Sequence, residues 1–185
     1  MFDRDVQIRG KHATYWKALA RTPGNAREER DNFKIFENYI HVYMVAPIIG
    51  LIYGRRGAID PQDRSKDTAG MMAEILIKNQ SKLKYIYRLI VLLDESEGLT
   101  RAEKIDRAFL ENENEDAAKA GMLLFRAYFL GGLELLYENF VEQCITKDDY
   151  ISRMYDFVEE FKREQKIDAS PLDINALLKS RQREN

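Results

Sequence analysis

The chain has 185 residues, a formal net charge of −2 and a hydrophobic share of 45%. That length suits one domain with a core that needs no disulfide or metal staple. The single cysteine, Cys144, cannot form an internal disulfide, so the secreted disulfide-rich class is excluded and a cytoplasmic setting is expected. Two histidines and one cysteine leave little from which to build a zinc site.

Helical periodicity dominates from the start, and strand signals are scarce. Tyr15, Trp16, Leu19 and Ala20 form a short amphipathic pattern over 11–21, which the breaker Thr22-Pro23-Gly24 ends. A charged segment turns apolar at Phe36, and Phe36, Tyr39, Ile40 and Tyr43 share one helical face. The run Val42 to Gly54 is the most apolar in the chain, but at 13 residues it is too short to span a bilayer, and a buried core helix is expected. Pro47 lies within it and predicts a kink or break between Tyr43 and Ala46. Residues 58–70 read as a polar loop.

The next helical stretch covers 71–93, with Asn79-Gln80-Ser81 as a point of interruption. Thr100 and Glu103 have capping-box spacing and open a short helix to about Leu110. Residues 111–116 form an acidic link that complements the positive end of the helix after it. That helix, about 115–143, is the longest and is apolar on most sides, as a central helix is. Thr146-Lys-Asp-Asp caps another over about 147–165, Ser170-Pro171 starts a last short one over 172–179, and a frayed tail is expected at 180–185. The fold class is therefore all-α: a single-domain bundle over 1–185, with six or seven helices around two central apolar ones at about 39–54 and 117–141.

Small residues recur every four positions in the central helices: Ala46, Gly50 and Gly54; Ala117 and Gly121; Ala127 and Gly131. Such rows let helix backbones approach closely. Glycine costs about 1 kcal/mol against alanine in a helix. Close packing is the leading reason for its presence, and a ligand against the bare backbone the sharper one.

Catalytic signatures are lacking. There is no Gly-x-Ser-x-Gly elbow, phosphate loop or dinucleotide fingerprint. Neither His12 nor His41 follows a glutamate by three, as a di-metal carboxylate site requires. No catalytic residue, metal or cofactor is assigned. Glu134 and Glu138, four apart in an apolar helix, join Tyr39, His41 and Tyr43 as candidates for a pocket between the central helices.

Charge is unevenly placed. Residues 75–93 carry Lys78, Lys82, Lys84 and Arg88 and no acid, while 94–116 sum to −6 and 138–160 to −5. With Arg55 and Arg56 after the apolar helix, these basic residues are the candidates for binding an anion or nucleic acid. The expected function is a non-enzymatic interaction module, either homo-oligomeric or a subunit of a larger assembly, with no membrane role. The alternatives are a nucleic-acid-associated factor and a small-ligand binder or enzyme.

Overall fold

The structure is a computed structural model, and it describes residues 1–21, 34–59, 63, 65–110, 115–142 and 144–164. The Thr22-Pro23-Gly24 breaker, the helix expected at 172–179 and the tail at 180–185 lie outside the described residues.

The chain is mostly helical. A short strand β1 (Val6–Arg9) leads into α1 (Lys11–Leu19), followed by α2 (Tyr39–Ile52). After β2 (Thr68–Met71) come α3 (Ala73–Lys78), α4 (Gln80–Leu93), α5 (Arg101–Phe109), α6 (Glu115–Phe140) and α7 (Lys147–Glu164). Asn79 separates α3 from α4, where the polar triplet interrupts the apolar pattern. Thr100 and Glu103 form the reciprocal capping box, and Thr146 with Asp149 satisfies the start of α7 in the same manner.

Two expectations need correction. The strands β1 and β2 pair antiparallel with Val6 opposite Met71, so the polar loop at 58–70 becomes strand at Thr68. Each strand is only four residues long and its partner lies about sixty positions away, so neither carries a local signal. Pro47 does not break α2, which is helical from Tyr39 to Ile52. The bond lost at Pro47 is outweighed by packing on α6, the most extensive contact between any two elements.

That packing depends on small residues. A Cβ added at Gly50 would lie 3.0 Å from the carbonyl carbon of Tyr128, and one at Gly132 would lie 2.5 Å from that of Ala46. The row is therefore real at Ala46 and Gly50, but Gly54 is not part of it. Gly54 has φ +62° and ends α2, where the Gly54 N–H reaches Leu51 O at 3.0 Å and the Arg55 N–H reaches Gly50 O at 2.8 Å. Gly121 faces α4 instead, leaving room for the Tyr87 ring, whose hydroxyl donates to Arg107 O at 3.1 Å.

An aromatic cluster fills the centre. Trp16 is fully buried, stacked on Tyr39 at 5.0 Å and edge-on to Phe129 at 5.1 Å, and its indole N–H donates to Tyr39 O. Phe2 inserts from the N-terminal segment beside Phe125, Tyr43 and Tyr87. Among the described residues α6 is the one helix long and apolar enough to cross a membrane, and 56% of its most apolar window is buried within the fold.

Candidate functional site

The chain leaves α2 at Gly54 and crosses α6, with the Gly57 N–H donating to Ala127 O at 2.8 Å. This crossing carries Arg55 over the last turns of α6. Its guanidinium grips Glu138 with two bonds of 2.5 Å and reaches Glu134 at 3.3 Å. The start of α1 meets the same helix from the other side. Lys11 Nζ lies 3.0 Å and His12 Nε2 2.9 Å from Glu134 Oε1. Burial would raise Glu134, but the bonds from Lys11 and His12 hold it below the usual carboxylate range. Burial depresses His12 against the opposing pull of Glu134, which favours the neutral ring. Lys11 and Arg55 thus offset Glu134 and Glu138, and this clasp ties α1, the end of α2 and α6 together.

A second polar cluster sits where α4 ends. Asp94 is buried and accepts from Tyr128 Oη at 2.5 Å and from Ser96 Oγ at 2.7 Å. Arg56 donates to Ser96 Oγ at 2.8 Å. Burial works to raise Asp94, but the bonds from Tyr128 and Ser96 prevail and lower it. Burial, together with the Asp94 carboxylate, pushes the Tyr128 phenol up to about 12. Among the described residues no sealed side-chain nitrogen or oxygen lacks a partner, so both clusters are internally satisfied. The carboxylate oxygens of Glu134, Glu138 and Asp94 are all taken by these donors.

The sequence-derived pocket does not assemble. Tyr39 and Tyr43 belong to the aromatic core, His41 is exposed, and Glu134 and Glu138 belong to the clasp. The spacing of His41 and the tyrosines put them on one helix, but not on one face: residue 41 points away from the side that carries 39 and 43. Sequence reasoning passed over His12, whose only unusual feature, its link to Glu134, spans 122 positions.

The six basic candidates are dispersed as well. Arg55 is committed to glutamates and Arg56 to Ser96. Lys78 pairs with Glu74 at 2.8 Å, and Arg88 donates to Ala108 O and lies over the Phe109 ring. Lys82 is exposed, Lys84 half-buried, and Tyr85 beside them is 70% exposed. Arg56 adjoins the C-terminal end of α4 and Lys82 its first turn, about 18 Å apart along the axis at 1.5 Å per residue.

The feature that stands out is α7. None of its residues is buried. One side attaches to the body through Phe157, 5.1 Å from the Phe140 ring, and through Arg153 bonded to Asn139. The adjoining side carries Ile151, Met154, Tyr155 and Val158 on the surface, with Ile151 at 52% and Tyr155 at 67% exposed. Their spacing of three, four and seven is a continuous helical stripe. The apolar arc of α7, from Tyr150 through Phe161 to Tyr155, was legible in the sequence. What was not legible is that the body covers only half of it.

The chain matches no family model, no curated protein and no solved structure.

Proposed function

We propose that this protein is a helical interaction module that associates with a second copy of itself through α7. The carrying observation is the exposed stripe of Ile151, Met154, Tyr155 and Val158 on a helix with no buried residue. Charge supports a second copy set antiparallel. Asp148 and Lys162 lie on the same margin of the stripe, at opposite ends and symmetric about Tyr155. An antiparallel pair brings Asp148 of each copy to Lys162 of the other and packs Ile151 near Val158, whereas a parallel pair sets like against like. Standard interfaces bury about 1,600 Å² in total, and one helix stripe supplies less, so the association is weak and concentration-dependent. The lone thiol Cys144 supports a cytoplasmic setting for this module.

Sedimentation across micromolar to millimolar concentration tests the reading. The expected result is a monomer–dimer equilibrium that Ile151→Asp abolishes without lowering the melting temperature. Asp148→Lys weakens the dimer, and Lys162→Asp in the same chain restores it. A chain that stays monomeric throughout, or a dimer indifferent to Ile151→Asp, refutes the proposal. A nucleic-acid role draws support from exposed Tyr85 beside Lys82. Salt-dependent binding of single-stranded oligonucleotides, lost on charge reversal at Lys82, would favour it instead.

A further inference from the structure

A cavity of about 510 Å³ opens between β1 and α6, on a different part of the molecule from α7. Its depth is apolar. Tyr43 and Phe129, with ring centroids 4.8 Å apart and both almost wholly buried, belong to the aromatic core. Ile8 of β1 and Met122 of α6 add to the lining, and Arg126 and Lys119 bring positive charge. The size falls within the range of small-molecule sites, as does the pairing of an apolar interior with few polar groups.

Two of these polar groups are unspent. The Tyr43 side chain is 4% exposed, and its hydroxyl makes no hydrogen bond among the described residues. Since no sealed side-chain oxygen among the described residues lacks a partner, that hydroxyl is not sealed, and Tyr43 lines the cavity. Arg126 is exposed and forms no ion pair or hydrogen bond among the described residues. Burial raises the Tyr43 phenol, and the positive charge of Arg126 works against that rise, so the two groups lie within one field.

The remaining charges do not cancel this arrangement. Lys119 is held by Glu115 at 3.0 Å, but that is an exposed pair one helical turn apart, of a kind that contributes little. Asp5 is the acid on the opposite wall, its Oδ1 bonded to the Ala73 N–H at 2.7 Å, and the two lining cations Arg126 and Lys119 outnumber it.

We infer that this cavity binds a small amphipathic carboxylate, its apolar body against Phe129, Ile8 and Met122 and its carboxylate held by Arg126 and the Tyr43 hydroxyl. A guanidinium offers two parallel donors to a carboxylate, and the phenol adds a third. A neutral amide of the same shape keeps the apolar contacts and loses the charge-assisted bonds. A cation of the same shape is repelled.

Calorimetric titration with 3-phenylpropanoate and octanoate, against 3-phenylpropanamide, tests the inference. At least one carboxylate binds saturably and at least tenfold more tightly than the amide. Arg126→Ala weakens that binding at least tenfold, and its melting temperature is unchanged because Arg126 has no described partner to lose. Tyr43→Phe weakens it several-fold while keeping the ring that packs on Phe129. Ile151→Asp leaves it intact. Failure of both carboxylates to bind, equal binding of the amide, or affinity untouched by Arg126→Ala overturns the assignment. Loss of binding in Ile151→Asp would move the site to α7 and overturns it equally.

Discussion

Gly132→Ala isolates the contact on which the fold turns. On an exposed helix this change stabilises by about 1 kcal/mol through helix propensity. Here the new Cβ would lie 2.5 Å from the Ala46 carbonyl carbon and 3.0 Å from its Cα, with the carbonyl oxygen nearer still. Carbon atoms rest at about 3.5–4.0 Å, so α2 would have to retreat by about 1 Å. The obstacle is backbone and cannot rotate aside. The retreat must also carry the crossing segment, since a Cβ on Gly57 would already stand 2.7 Å from the Gly131 nitrogen. Overpacking costs about 1–3 kcal/mol, and a clash between two backbones belongs at the top of that range. After the propensity gain, the net loss is about 2 kcal/mol, or about 4–8 °C in melting temperature for a domain of this size. Urea unfolding followed by circular dichroism measures it as a lowered midpoint at constant slope. Gly98→Ala is the control: its surroundings are open and only its φ of +65° opposes a side chain, so about 1 kcal/mol is expected. A Gly132→Ala protein as stable as the parent, or more so, would refute the claim that backbone contact between α2 and α6 requires glycine.

Three other outcomes follow from the polar geometry. His12 has a depressed folded value, so the unfolded chain binds its proton first as pH falls. Stability held above pH 6.5 is therefore lost on acidification below it, and His12→Gln, which can still donate to Glu134, flattens that part of the melting temperature against pH; a profile equally steep in the variant contradicts the assignment. Thr100→Ala removes the capping box of α5 and costs about 1 kcal/mol by urea unfolding, with little effect expected if the cap is unimportant to α5. Tyr128→Phe strips buried Asp94 of its 2.5 Å donor and lowers stability by about 1–3 kcal/mol at neutral pH; a neutral result would mean that Ser96 suffices.

Much of the fold was legible because helix signals are local. The apolar faces of α4 and α6, the Thr100 cap and the interruption at Asn79 each depend on residues within a turn or two of one another. The spacing of Ala46 and Gly50 announced close packing for the same reason, although it could not tell that Gly54 ends its helix while Gly121 serves α4. The candidate sites were far less legible. Tyr43 lines a cavity with β1 and α6 and not with the other pocket candidates, and its neighbours there, Ile8 and Arg126, come from elements with no sequence link to it.

What the sequence determines by itself is which segments become helix and which faces of them avoid water, since propensity, capping and periodicity act over a few residues. The tertiary structure decides which charges meet, and it joins His12 to Glu134 across 122 positions and Arg55 to Glu138 across 83. It also decides which apolar faces remain uncovered. The stripe of α7 has the same periodicity as a buried face, and only its placement at the edge of the body leaves it exposed. The uneven charge is handled at both levels: Lys78 pairs with Glu74 one turn away, whereas Arg55 reaches Glu134 and Glu138 only because packing brings them together.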